Sequence, residues 1–288
     1  MKNSFKSQSA MEYLMTYGWA ILIIAVVLGV LVQLGVFSSM SFAPKATPGG
    51  CQVFRTQFTP PSLQGTCQGA LPQYVALFNG QNGYVDAGNA ANLNLGANGG
   101  AGTIVVWFKT TKITREAYVF RVNPASPWNG FGFAISQNAG TKKLAFWSSS
   151  GSGTWVDANS IIVTNGTWRQ GVVTFSGTSS TFYVDGKFDG TKTIAPVGAY
   201  SANFLIGLTN GASDYFNGTI SNVQVYNVSL SANEIQALYL KGIGGVPIDL
   251  QHIAGWWPLN GDANDYSGNK NNGMSSSGVF FTTSWTSN

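Results

Sequence analysis

Charge is scarce in this sequence. Only 9% of its 288 residues are Asp, Glu, Lys or Arg, against about 25% in ordinary soluble domains, which disfavours a helical bundle. The basic residues form no stripe interleaved with aromatics, so nucleic acid is excluded as a partner despite the net charge of +4. Glutamate is rarer still: Glu12, Glu116 and Glu234 are the only three. No Glu-x-Asp-x-Glu run exists, so the paired-carboxylate chemistry of glycosidases lacks its residues. The single histidine, His252, has no nucleophile near it for a triad and no cysteine near it for zinc. The chain is expected to bind rather than to catalyse. Two cysteines, Cys51 and Cys67, make at most one disulfide. In an oxidising compartment that bridge closes a short loop and contributes about 3 kcal/mol; two free thiols in a reducing one is the alternative.

What the chain has instead is 36 glycines, 13% aromatics and many Ser, Thr and Asn residues, the composition of short strands joined by tight turns. Strand-like runs recur at Tyr74–Phe78, Thr103–Lys109, Tyr118–Val122, Gly130–Ser136, Lys143–Trp147, Gln170–Phe175, Thr181–Val184, Asn203–Leu208 and Thr219–Tyr226. They predict an antiparallel sandwich. Asp185-Gly186 reads as a two-residue hairpin turn, since both residues tolerate positive φ. One soluble helix is expected after Ser231, with Glu234 completing a capping box, Ile235, Leu238 and Tyr239 on one face, and Gly242 closing it.

Near the N-terminus, Tyr17 to Phe37 is apolar apart from Gln33 and long enough, at about 1.5 Å per residue, to span the ~30 Å hydrocarbon core of a bilayer. Lys2 and Lys6 precede it, which leaves the N-terminus cytoplasmic and the remainder outside. A cleaved secretory signal with its site at Ser41-Phe42-Ala43 and a plain signal anchor are two readings. Neither uses the junction Lys6-Ser7-Gln8-Ser9-Ala10-Met11-Glu12-Tyr13-Leu14. That junction resembles the class III signal peptide of archaeal type IV pilin-like proteins. The resemblance implies cutting between Ser7 and Gln8 by a prepilin-type peptidase, with the hydrophobic helix kept. It also implies that Glu12 pairs with the new terminal ammonium of a neighbouring subunit during self-assembly into a filament. A carboxylate at the edge of a spanning helix needs such a partner, or else faces water at the interface. Expected boundaries are a leader over 1–7, a transmembrane or filament-core helix over 8–37, a linker and disulfide-stapled loop over 38–73, and a β domain over 74–288.

The β domain resembles the LamG-like, concanavalin A-like jelly rolls. The matching stretches are Phe78-Asn79-Gly80-Gln81-Asn82-Gly83-Tyr84-Val85, Trp107-Phe108-Lys109, Tyr183-Val184-Asp185-Gly186-Lys187, Gly218-Thr219-Ile220 with Val223 and Tyr226, and the helix from Leu230 to Tyr239. The fold expected is thus mainly β, an antiparallel jelly-roll sandwich preceded by one long hydrophobic helix. One departure stands out. The tryptophan strand and D-x-S-G-N turn that open family members lie here at the far end, as Trp256-Trp257-Pro258-Leu259 and Asp265-Tyr266-Ser267-Gly268-Asn269. A circular permutation, with residues 254–288 supplying the missing strands and Gly278–Trp285 the last of them, accounts for this. Donation of the segment to a neighbouring subunit is the rival.

Three kinds of candidate site follow. Asp262, Asn264, Asp265, Ser267 and Asn269, with Asp86 as a distal ligand, offer the oxygens that calcium takes, although the spacing is not that of an EF-hand and such turns often only cap backbone. Trp128, Trp147 and Trp155 lie near predicted loops or strand ends, where an indole can stack on a sugar ring; filling the core is the alternative, and suits Trp107 and Trp257. Asn165-Gly166-Thr167, Asn217-Gly218-Thr219 and Asn227-Val228-Ser229 are N-glycosylation triplets. The functional expectation is a pilin-like protein at the cell surface, membrane-anchored or in a filament, whose jelly roll binds surface glycans. A structural filament or sheath subunit and a membrane-anchored polysaccharide-acting enzyme are the alternatives.

Overall fold

The computed structural model describes residues 17–30, 72–111, 117–122, 129–136, 142–208 and 214–283. Ser7, Gln8, Glu12, Cys51, Cys67 and Trp128 lie outside these residues, as does most of the predicted linker. The chain divides into two compact units, Met1–Lys45 and Ala46–Asn288. In the first, residues 17–30 form helix α1, and every one of them is exposed. Among the described residues no helix is long and apolar enough to cross a membrane; the rest of the predicted 8–37 helix lies outside them.

The second unit is a sandwich of two antiparallel sheets. The first sheet runs in the order β10 (Lys187–Thr193), β9 (Ser179–Val184), β8 (Arg169–Ser176), β3 (Ala101–Lys109), β12 (Asn217–Tyr226), β1 (Val75–Asn79), β15 (Val279–Thr282), with β13 (Ile253–Trp257) also paired to β12. The second runs β14 (Met274–Ser275), β2 (Val85–Asp86), β11 (Leu205–Ile206), β4 (Ala117–Val122), β5 (Gly130–Ile135), β6 (Leu144–Ser149), β7 (Gly153–Asp157). The predicted strand over Asn203–Leu208 thus shrinks to two residues. One strand that the sequence reading did not mark, β7, closes an edge.

Alternation sets the layers. In β3, Ile104, Val106 and Phe108 enter the core between the sheets, while Val105 belongs to a second apolar cluster on the opposite face. That second cluster is roofed by helix α2 (Ala232–Leu240), whose Ile235 and Leu238 are buried in it. Trp107 stacks on Tyr239 there, with ring centroids 5.8 Å apart. Strand β3 is therefore buried almost continuously because both of its faces are covered. The helix begins as expected: Ser231 and Glu234 form the reciprocal capping box. A buried polar chain fastens the segment after α2. The Tyr226 hydroxyl donates to Gln224 Oε1 (2.6 Å), Gln224 Nε2 donates to Asn222 Oδ1 (3.0 Å), and Asn222 Nδ2 donates to the Gly245 carbonyl (2.7 Å). The Trp256 indole N–H also reaches Asn222 Oδ1, at 2.7 Å.

The C-terminal strands pair with the chain's own sheets. Strand β13 lies against β12, β15 against β1, and β14 against β2. Trp257 enters the core and stacks on Phe204, centroids 5.2 Å apart.

Candidate glycan-binding face

Helix α2 roofs the outer face of the first sheet only over β3, β8, β9, β12 and β13, and the outer face of the second sheet carries a different set of residues. There β5, β6 and β7 send Phe133, Phe146 and Val156 toward the core. Their neighbours point the other way, because successive side chains alternate. Direct cross-strand partners on this outer face are Arg121 with Gly132, Gly132 with Trp147, and Trp147 with Trp155. Two indoles that are eight residues apart in sequence thus stand side by side on one surface, each half-buried.

Small residues surround them. Gly130, Ala134, Ala145 and Gly153 occupy the flanking outer positions in the same register. Gly153 is needed: a Cβ there would stand 2.6 Å from Trp147 Nε1, so its absence lets the indole lie down along the sheet. Gly132 lies in register between Arg121 and Trp147, and the Arg121 guanidinium carbon stands 4.9 Å from the Trp147 ring centroid, within cation–π range. The Trp155 N–H donates to Asp157 Oδ1 (2.8 Å), and Ser136 Oγ donates to Asp157 Oδ2 (3.1 Å), which fixes the second indole. The result is an aromatic platform carrying a cation on one side and a carboxylate on the other. Such a surface accepts the apolar C–H face of a pyranose on its rings, with hydroxyl partners of both polarities beside it.

Of the predicted stacking residues, Trp147 and Trp155 are brought together, and Trp128 lies outside the described residues, just before Asn129. Arg121 was missed; its only signal was a cation inside a strand-like run.

The proposed calcium ligands are placed differently. Asp265 is 1% exposed. Its Oδ1 accepts the N–H groups of Trp256 (3.0 Å) and Ser267 (2.8 Å), and its Oδ2 that of Asn271 (2.9 Å). Asn264 (2.8 Å) and the Tyr266 hydroxyl (2.9 Å) donate to Asp262 Oδ2, Ser267 Oγ accepts from the Asn269 N–H, and Asn269 Nδ2 donates to the carbonyls of Ile253 and Ala254. Asp86 serves Gly88 N–H and Asn203 Nδ2. Among the described residues no group of three or more His, Cys, Asp or Glu converges to hold a metal. In this arrangement the carboxylates of Asp265, Asp262 and Asp86 hold N–H and O–H groups of the chain itself, bonds that an ion there would have to displace. The turn instead anchors β13.

His252 Nδ1 lies 2.7 Å from Asp249 Oδ2 within the same loop. Of the glycosylation triplets, Asn165 and Asn217 are exposed and Asn227 is half-buried.

A sequence model of the concanavalin A-like lectin/glucanases superfamily, of laminin G type, matches residues 79–236. No curated protein matches the sequence. Among solved structures, the chain is similar to a native heptameric SAP-like pentraxin from Limulus polyphemus, with 14% identity and a TM-score of 0.51 over 73% of this chain and 94% of that one. It is also similar to a putative carbohydrate-binding protein from Bacteroides ovatus, with 15% identity and a TM-score of 0.52 over 74% of this chain and 60% of that one. At these identities the likeness is one of fold.

Proposed function

Because the chain belongs to the concanavalin A-like lectin/glucanases superfamily, we propose that it is a cell-surface protein which holds carbohydrate on the outer face of β4–β7, by binding and without catalysis. The observation that carries this reading is the cross-strand pair Trp147–Trp155, with Arg121 stacked on the first indole and Asp157 fixing the second. The similar Bacteroides ovatus protein, a putative carbohydrate-binding protein, is in keeping with it. The scarcity of glutamate supports binding over hydrolysis, since Glu234 is occupied in the capping box.

A glycan array probed with the unit 46–288, followed by calorimetry on its best hit, tests the reading. Trp147→Ala and Trp155→Ala are each expected to weaken binding about two- to twelvefold, the scale of about 0.5–1.5 kcal/mol that a stacked ring contributes. An array without hits would favour a purely structural filament or sheath subunit.

The same proposal carries the domain on a pilin-type helix in the membrane or a filament. The order Lys6-Ser7-Gln8 through Glu12 ahead of an apolar run supports it, and residues 17–30 are helical. Sequencing the mature N-terminus checks it: a start at Gln8 is expected, and a start at Pro44 would mean a freely secreted domain.

A further inference from the structure

On the outer face of the first sheet, at the end where β12 begins, lies a groove of about 320 Å³ walled by Leu77, Lys109, Thr110, Gly166, Asn217 and Thr219. Two of the three glycosylation triplets border it, although they are 52 residues apart in sequence. Thr110 ties them together: its carbonyl accepts the Gly166 N–H (3.1 Å) and its hydroxyl donates to the Asn217 carbonyl (2.7 Å). Both asparagines are exposed. In Asn165 the side-chain oxygen accepts from the Thr167 hydroxyl (2.6 Å), so the amide nitrogen remains for chemistry.

Thr219 is 4% exposed and its hydroxyl has no protein partner. It stands between Leu77 and Lys109, its partners in register on β1 and β3. Leu77 is 40% exposed and pairs with Phe280, which is 53% exposed, an apolar shelf next to a lysine. Asn227 differs. Its side-chain oxygen is buried without a partner, and its backbone N–H is held by the His252 carbonyl.

We propose that Asn165 and Asn217 carry N-linked glycans, that the first sugars on Asn217 lie in this groove, and that Asn227 stays bare. The apolar ring face rests on Leu77 and Phe280, and sugar hydroxyls meet Lys109. In the transfer step the asparagine amide nitrogen attacks C1 of a lipid-phosphate-linked oligosaccharide. The C1–N bond forms, the C1–O bond to phosphate breaks, the nitrogen loses one proton, and the lipid phosphate leaves. The inference rests on the cell-surface reading, since the chain must reach the compartment that holds the glycan donor. The glycans would sit on the sheet opposite the Trp147–Trp155 platform and leave it open.

Full-length protein taken from its own cells, fractionated into surface and cytosol, is mapped by glycopeptide mass spectrometry. Sugar on the peptides of Asn165 and Asn217 and none on that of Asn227 is expected. Asn217→Gln should lose one glycan and melt several degrees lower, while the same variant and wild type made in a host without glycosylation should melt alike. Surface protein bare at Asn217, or modified at Asn227, would overturn this inference and leave the surface reading standing. Protein found only in the cytosol and bare throughout would overturn both. Equal melting of the glycosylated pair would remove the sugars from the groove.

Discussion

At the level of single residues, Asp265 shows how one carboxylate organises a turn. Its two oxygens hold three backbone N–H groups from Trp256, Ser267 and Asn271, tying the loop back onto β13. Truncation strands those donors in a buried place, at about 1–3 kcal/mol for each buried group left unmade. Asp265→Ala is therefore expected to lose about 3 kcal/mol or more in urea unfolding, with some relief if water enters. Adding calcium or a chelator should leave the melting temperature of the wild type unchanged, because an ion at Asp265 would have to displace its bonds to the Trp256, Ser267 and Asn271 N–H groups. Two tyrosines extend the same logic to alkali. Tyr200 donates to the Leu93 carbonyl and Tyr226 to Gln224, and burial pushes both phenols well above their ordinary value of 10.0. Each folded-state pKa lies above the unfolded one. The stability this contributes is therefore whole below about pH 10 and is lost as the pH rises beyond it. A pH titration should show tyrosinate absorbance from these two residues rising together with loss of tertiary signal, not before it.

At the level of elements, the features legible in the sequence were those whose cause is local. The hairpin between β9 and β10 turns on Asp185 and Gly186, at φ values of 51° and 71°, as the dipeptide indicated. Asp185 adds what the dipeptide did not disclose, a pair with Arg169 at 2.5 Å and an acceptor for the Gln170 N–H. Gly186→Ala would place a methyl group 3.0 Å from Tyr239 Cβ at a positive φ, so a loss of about 1–2 kcal/mol is expected in thermal unfolding. The capping box was legible for the same reason, and Ser231→Ala should cost about 1 kcal/mol. Strand β7 was not legible: Gly153–Asp157 is five residues long, flanked by Ser and Gly, and takes its form from pairing with β6. The platform was half legible. Trp147 and Trp155 could be named as residues, but their juxtaposition follows from register across β6 and β7, and Arg121 joins them across Gly132, its partner in register on β5. Cross-strand register is a tertiary property that no local window carries.

At the level of the whole domain, the family match ends at residue 236, whereas the sheets do not. Strand β13 covers β12, β15 covers β1, and β14 covers β2, so both sheets draw their closure from the far end of the chain. Trp257 belongs to the central core and Trp256 to the cluster beneath α2; removing the segment uncovers both apolar layers together. A unit truncated to 46–249 is accordingly expected to show no cooperative melting, and co-expression with a 250–288 fragment to restore it, since main-chain pairing and the two indoles suffice to recruit a strand. The intact unit discriminates pairing within one chain from exchange between copies. When each chain closes its own sheets, unfolding is unimolecular and the melting temperature is independent of protein concentration. When copies lend the segment to one another, dissociation accompanies unfolding and melting rises with concentration. Concentration-independent melting over a hundredfold range, together with a monomer by sedimentation, is the outcome that the observed pairing predicts.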